Sequence, residues 1–498
     1  MPGHCGPVRP RVPQVRHKIV IIGSGFGGIG MGIGLRKAGF DDFVILEKAT
    51  ELGGTWRDNR YPGCACDVPS PLYSFSYELN PDWSRLFAPQ QEIWDYLRGC
   101  AAKYGIEEHI RYGSRVESVA WDDTDQLWTV RTADGERYRA HAVVSGAGAL
   151  HIPSYPEIPG IDSFAGESFH SSSWDPAASL AGKRVAVIGT GASAIQFVPA
   201  VASEAAHLTV FQRTPPWIHP RPDAGMPPRT RAALRAVPGA ARALRYLVYW
   251  GLESRAAGFA VDPRLMAPLE AMARKHLERQ VPDPGLRARL TPDYTIGCKR
   301  ILLSSDYYPA LQRPNVELVT DRITAIAPSG VVTADGALHE ADVLVFGTGF
   351  RVVDAAAELN VAGRDGVKLK DAWASGVEAF RGITVPGFPN FFMLLGPNTG
   401  LGHTSVVFMI EAQVQHVLSC LRVLSRAKAS TIEARAPAAR RYNDALQHRL
   451  RRAVWSAGGC RSWYLDDAGV NRAIWPGFSF EYWARTRRAR RRDYELDG

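Results

Sequence analysis

Four short apolar runs frame the chain: Ile19-Val20-Ile21-Ile22, Phe43-Val44-Ile45-Leu46, Val185-Ala186-Val187-Ile188 and Thr209-Val210-Phe211. Short apolar runs of this kind, two of them met by a glycine turn, predict strands. The first run meets Gly23-Ser24-Gly25-Phe26-Gly27-Gly28 and the third meets Gly189-Thr190-Gly191-Ala192-Ser193-Ala194, so each pair predicts strand, tight turn, helix, strand. Ile19 to Leu35 carries no charge over about the length of a minimal membrane span. Its glycine spacing explains it better as strand, turn and helix. From Arg229 to Gln280 the pattern changes, and Leu234, Val237, Leu244, Leu247 and Val248 recur at helical spacing, which predicts a helical subdomain covering the active site. Two further runs, Val143-Val144-Ser145 before Gly146-Ala147-Gly148 and Val343-Leu344-Val345-Phe346 before Gly347-Thr348-Gly349, predict crossings between domains.

The fold class that follows is α/β, with two Rossmann-like dinucleotide-binding domains and a helical insertion. Residues 18–150 and 342–484 form a discontinuous first domain, and residues 151–341 form the second, with the helical subdomain at about 229–280. The chain has 498 residues, 46% of them hydrophobic, enough for two or three cored domains. Residues 1–17, rich in proline and arginine, are expected to be a disordered basic arm, and residues 485–498 an arginine-rich tail. The net charge of +9 draws heavily on that tail, where six of the eight residues from Arg485 to Arg492 are arginine. This favours a solvated tail over a nucleic-acid or membrane partner. Seven scattered cysteines make no disulfide framework and point to a reduced, cytoplasmic setting. No histidine or cysteine spacing suggests a metal.

The chemistry of the two units differs at one position. In the first, Gly23 serves the turn, Gly25 lets the backbone approach a pyrophosphate beside Phe26, and Gly28 lets the helix pack on its strand. The helix N-terminus faces the phosphates. Glu47, closing the second strand, is placed to accept from ribose hydroxyls. In the second unit the markers Gly189, Gly191, Ala194 and Arg213 all lie 166 positions further on. An arginine there suits a 2′-phosphate, so the first site predicts FAD and the second NADPH. Two such sites in one chain suggest a hydride donor serving a resident flavin.

Gly53-Gly54-Thr55, followed by Gly63-Cys64, is shared with the pyridine-nucleotide disulfide reductases, but Trp56 stands where their first redox cysteine should be. Two longer patterns are more specific. Phe164, Gly166, His170, Trp174 and Asp175 meet FxGxxxHxxxW(P/D), and Gly53, Gly54, Trp56, Tyr61, Pro62, Gly63 and Asp67 meet GGxWxxxx(F/Y)PGxxxD. On these residues the chain resembles the Baeyer–Villiger monooxygenases of the class B flavin-containing group, from about Lys18 to about Trp483.

The resemblance implies that Thr55, Trp56, Asp67 and Tyr73 line the flavin and that Val116 lies near the adenine. It implies that Thr190, Gly191, Ser193, Ala194, Arg213 and Thr214 bind NADPH, that Lys299 holds it, and that Trp463 orients its nicotinamide. Arg300 is the implied catalytic cation, with Asp67 as the carboxylate that positions it. His170 and Trp174, on the linker between domains, are expected to act at a hinge. The implied reaction uses O₂ and a small-molecule ketone, giving an ester or lactone through a C4a-peroxide of the reduced flavin. Oxygenation of a sulfide or amine, an uncoupled NADPH oxidase and a non-catalytic FAD/NADPH redox sensor are the alternatives. The expected assembly is a monomer or homo-dimer. Gly396-Pro397-Asn398-Thr399-Gly400-Leu401-Gly402-His403 departs from the segment in the cyclic-ketone enzymes, so the identity of the ketone does not carry over.

Overall fold

The computed structural model describes residues 14–352 and 359–497. The expected disordered arm lies outside the described residues except at its end, where residues 14–17 already belong to the strand Gln14–Ile22. That strand is central to an eight-stranded sheet, parallel to Phe43–Leu46 on one side and Arg137–Ser145 on the other. Ile19, Ile21 and Ile45 pack on one face while Val20, Ile22, Val44 and Leu46 pack on the other. Burial on both faces is why these runs show no alternation. The uncharged stretch Ile19 to Leu35 is this strand, its turn and the helix Phe26–Lys37. The later half of the chain returns to the same sheet: Phe391–Met393 pairs beside Val143–Ser145, and Asn360–Ala362 beside Ser118–Ala120.

A second, five-stranded parallel sheet runs in the order Val316–Val319, His207–Phe211, Arg184–Ile188, Val343–Phe346, Glu167–His170. This corrects one boundary. Val343–Phe346 is an interior strand of the second sheet, not the start of the first domain's return, so the crossing falls after Phe346 rather than at 342. An apolar run before a glycine turn fits either sheet, and only the pairing tells them apart.

The helical insertion comprises Pro228–Ala236, Ala240–Glu253, Ala256–Ala260 and Ala267–Gln280. Its buried face differs from the expected one. Val237 and Leu247 are 54% and 73% exposed, whereas Arg245, Tyr249 and Glu253 are buried. Arg245 is drawn inward because its Nη1 donates to the carbonyls of Pro71, Leu72 and Ser74 at 3.0, 3.1 and 3.0 Å. This ties the insertion to the segment just after Asp67. Glu253 accepts from the Ser479 backbone N–H and from its Oγ at 2.8 Å, and its carboxylate lies 3.3 Å from His403 Nε2.

The arginine-rich C-terminal stretch keeps all six arginines exposed between Arg485 and Arg492, yet the chain there folds back. Ser479–Thr486 is helical, and Tyr494–Asp497 pairs antiparallel with Thr431–Ala434. Tyr494 is 1% exposed, and its hydroxyl bonds His416 Nε2 at 2.6 Å. One buried aromatic anchor therefore overrides six arginines as a determinant of order. The helix Val406–Ala427 is long and apolar enough to cross a membrane, yet Gln413 and His416 within it are fully buried and it packs on Phe26–Lys37 as a core helix.

Candidate active site

The first glycine turn is built by contact. A Cβ on Gly28 would lie 1.8 Å from the Gly23 carbonyl oxygen, so the helix can start this close to its strand only with glycine there. A Cβ on Gly25 would meet nothing nearer than the Gly54 Cα at 3.7 Å, which leaves a backbone-lined cradle at the helix N-terminus. Glu47 is buried beside it and accepts from Ser24 N–H at 2.9 Å, Ser24 Oγ at 2.7 Å, Ala49 N–H at 3.0 Å and Arg57 Nη1 at 3.0 Å. Burial alone would raise the Glu47 carboxyl. The Ala49 and Ser24 hydrogen bonds and the Arg57 charge outweigh it and hold the group below the usual carboxylate range. Arg57 carried no motif and was not singled out from the sequence. Thr55 opens the short helix Thr55–Asp58, and Trp56 Nε1 donates to the Tyr73 hydroxyl at 3.1 Å. Phe26 meets the Tyr73 ring edge-on at 5.2 Å, so Phe26, Trp56 and Tyr73 form one aromatic wall. Val116 opens the strand Val116–Asp122.

The second unit repeats the first with one shift. Gly23 N–H donates to Leu46 and Gly189 N–H to Phe211. The next residues, Glu47 and Gln212, each donate their N–H to a neighbouring strand, at Arg111 and Val319. The structural counterpart of Glu47 is therefore Gln212, and Arg213 lies one residue beyond it. The second unit reaches its strand in one residue fewer, which a constant sequence offset conceals. Gln212 is buried and donates to the Arg289 carbonyl at 2.8 Å, while Arg213 is exposed. Gly189 holds φ +115, and a Cβ there would lie 2.4 Å from the Gly347 carbonyl oxygen. Thr190 Oγ1 donates to the Thr214 carbonyl at 3.4 Å. Ser193 and Ala194 begin the helix Ala194–Glu204, with Gly191 just ahead. Gln196 on that helix accepts from Ala65 N–H at 3.2 Å and donates to the Ala65 carbonyl at 3.1 Å, clasping the two units together. The Lys299 ammonium is held below its usual range by burial and then by the charge of Arg213. Two cations from separate segments thus converge at the edge of this unit, with Lys299 5.0 Å over the Tyr294 ring.

A pair that pattern alone could not join links Asp67 of the first unit's segment to Arg300. Arg300 Nε donates to Asp67 Oδ2 at 2.6 Å and Nη2 to Oδ1 at 2.7 Å, across 233 residues of sequence. This bidentate geometry leaves Nη1 without a protein partner among the described residues. The Asp67 charge, outweighing burial, raises the guanidinium's affinity for its proton further. Burial would raise the Asp67 carboxyl, but Arg300 holds it below the carboxylate range. The result is a fixed cation beside a fixed anion. Tyr464, not singled out from the sequence, is 1% exposed and interacts electrostatically with both. Its neighbour Trp463 remains 48% exposed, against the Tyr464 ring at 4.3 Å. Cys298 is disulfide-bonded to Cys460, which corrects the expectation of a fully reduced set. Loop residues 162 positions apart give no sequence signal for pairing. His170 is buried at the end of Glu167–His170, where its Nδ1 bonds Ser172 Oγ at 2.8 Å, and burial lowers its pKa so that the neutral ring is favoured. Trp174 packs on Phe197 of the second unit's helix at 5.3 Å. Among the described residues no group of three or more His, Cys, Asp or Glu is arranged to hold a metal ion.

The family model of the pyridine nucleotide-disulphide oxidoreductases matches residues 20–245. A Baeyer–Villiger monooxygenase of Pseudomonas aeruginosa is 48% identical over 98% of this chain and 93% of its own length. A cyclohexanone monooxygenase from Rhodococcus sp. Phi1 bound to NADP⁺ superimposes with a TM-score of 0.86 at 29% identity, covering 98% of this chain and 100% of that one. OTEMO, solved with FAD and NADP, gives 0.87 at 28% identity, over 96% of this chain and 99% of its own. The chain thus belongs to the flavin-dependent Baeyer–Villiger monooxygenase family, and its cofactors are FAD and NADP(H). The donor sets fit them: an open backbone cradle with a buried carboxylate for FAD, and a pair of cations, exposed Arg213 and partly buried Lys299, for NADP.

Proposed function

We infer that this protein uses NADPH and O₂ to insert one oxygen atom beside a ketone carbonyl, releasing an ester or lactone. The observation that carries the reading is the bidentate Arg300–Asp67 pair. Bound FAD, once reduced by NADPH, supplies the activated dioxygen. The protein's task is electrostatic. Negative charge appears on oxygen before and after attack on the carbonyl, and Arg300 offers a charge that does not leave with its proton. Asp67 acts as a positioning residue, fixing the plane of the guanidinium while Nη1 stays free to donate. Thr55, Trp56 and Tyr73 shape the flavin side, Val116 the adenine side, and Lys299 with Arg213 the nucleotide phosphate. Trp463 would orient the nicotinamide. Ketone-dependent NADPH consumption, with a product 16 mass units heavier than the ketone as one oxygen atom requires, tests the reading. Oxygenation of only sulfides or amines in the same panel overturns it in favour of the other class.

Two expected outcomes belong here. Arg213→Ala removes one of the two cations, so KM for NADPH rises about 10-fold, the value of one charge-assisted contact, while NADH use changes little. Steady-state rates with both nucleotides check this, and equal use of both by the unmutated enzyme contradicts it. His170→Ala leaves FAD bound, because the ring touches Tyr155 and Phe350 at the domain crossing rather than the first glycine turn. It lowers kcat and the ester formed per NADPH. An unchanged product yield returns His170 to simple packing.

A further inference from the structure

We propose that the Cys298–Cys460 disulfide is a thiol–disulfide exchange site that controls how Arg300 and the Trp463 segment are held together. The proposal rests on the reading of Arg300 and Lys299 given above. Cys298 directly precedes Lys299 and Arg300, and Cys460 lies just ahead of Trp463 and Tyr464. The bridge therefore joins the segment bearing the catalytic cation to the segment bearing the exposed tryptophan. One backbone bond, Thr295 N–H to the Gly458 carbonyl at 3.0 Å, ties the same two segments. They are pressed so close that a Cβ on Gly458 would lie 2.7 Å from Cys298 Cβ and 3.0 Å from its sulfur.

Burial makes the two sulfurs unequal. Cys298 is 1% exposed, whereas Cys460 is half-buried between exposed Gly459 and Arg461. The other cysteines among the described residues, Cys64, Cys66, Cys100 and Cys420, are all buried as free thiols. Among the described residues this is the bond a dithiol reductant can attack, and Cys460 is its more exposed sulfur-bearing residue. The reductant's thiolate attacks Cys460 Sγ, the Sγ–Sγ bond breaks, and Cys298 leaves as a thiolate that takes up a proton. The reductant's second thiol then displaces Cys460 from the mixed disulfide, so the reductant is oxidised by two electrons and both cysteines end as thiols. In the oxidised protein the two segments move as one. In the reduced protein the Trp463 segment is freed from the arginine segment, which weakens nucleotide closure and lets reduced oxygen escape as H₂O₂.

The test uses the FAD-loaded enzyme with and without dithiothreitol, followed by alkylation and intact mass. Two more alkyl groups are expected after reduction than before. The reduced enzyme should show faster hydrogen exchange over residues 454–464, a several-fold higher KM for NADPH and more H₂O₂ per NADPH. Cys460→Ser should show the same changes before any reductant and no response to it. No difference of two alkyl groups, or reduced wild-type enzyme with unchanged exchange, KM and H₂O₂, overturns the proposal. Hydrogen exchange and nucleotide KM decide it even if no ketone is oxygenated, so its failure is distinct from failure of the assigned reaction.

Discussion

Arg300→Ala is expected to lower ester formation on the order of 10²- to 10³-fold, the usual cost of removing one preorganised stabiliser of developing charge. The effect should be confined to one stage. The groups proposed to hold FAD, the first glycine turn, Glu47 and the Trp56 wall, make none of their observed contacts to Arg300, so the variant should remain yellow. Lys299 and Arg213 still present their charges to NADPH, so the flavin should bleach under anaerobic NADPH, more slowly at most. On admission of O₂ the variant should return H₂O₂ in place of ester, because charge on oxygen no longer meets a fixed cation. Lys cannot substitute fully: it lacks the planar fork that engages both Asp67 oxygens and still leaves a donor free. Asp67→Asn should fall between the wild type and Arg300→Ala, since the cation survives but loses its bidentate anchor. Stopped-flow absorbance with parallel peroxide and ester assays separates the stages. Near wild-type ester yield from Arg300→Ala would reduce that residue to a nucleotide contact.

How much of this was legible in the sequence varies with the kind of signal. The two glycine units were legible because backbone geometry admits few residue types there, and the flanking strands are buried on both faces. The match of Arg213 to Glu47 failed by one residue, because counting along the chain is blind to a helix and loop that close in one residue fewer. The Arg300–Asp67 pair was reached only through family resemblance. Neither segment has a pattern that demands the other across 233 positions. Arg245 and Glu253 were illegible for a different reason: polar residues on an amphipathic pattern are expected to face water, and here the carbonyls after Asp67 and the Ser479 donors draw them inward. The same logic hid the return of the C-terminus. Its arginines suggested solvation, while a single tyrosine with a histidine partner decided the fold.

Gly28→Ala is expected to abolish FAD binding, and its cause lies entirely in the first step of the fold. The added methyl would stand 1.8 Å from the Gly23 carbonyl oxygen and 2.9 Å from its carbon, both backbone atoms that no side-chain rotation can move aside. The same position lies 3.5 Å from Ile21 Cγ2, so the helix cannot tilt toward the strand to escape. Relief requires the helix Phe26–Lys37 to lift away from the sheet. That movement drives the helix against Val406–Ala427, already so close that a Cβ on Gly34 would lie 2.6 Å from Val414 Cγ1, and shifts the N-terminal amides from the cradle beside Gly25 and Gly54. The destabilisation should exceed about 4 kcal/mol, the range reserved for substitutions that break a specific structural requirement. The corresponding position of the second unit is already alanine, Ala194, whose Cβ is accommodated beside Gly347, where a Cβ added to Gly347 would lie 3.3 Å from it, so the demand for glycine is particular to the first turn. The variant should therefore be recovered colourless, or as aggregate, while Ala194→Gly keeps its flavin. A soluble Gly28→Ala protein with full FAD content and unchanged Tm would show that the strand and helix can separate there without cost, and would remove the packing argument for this glycine.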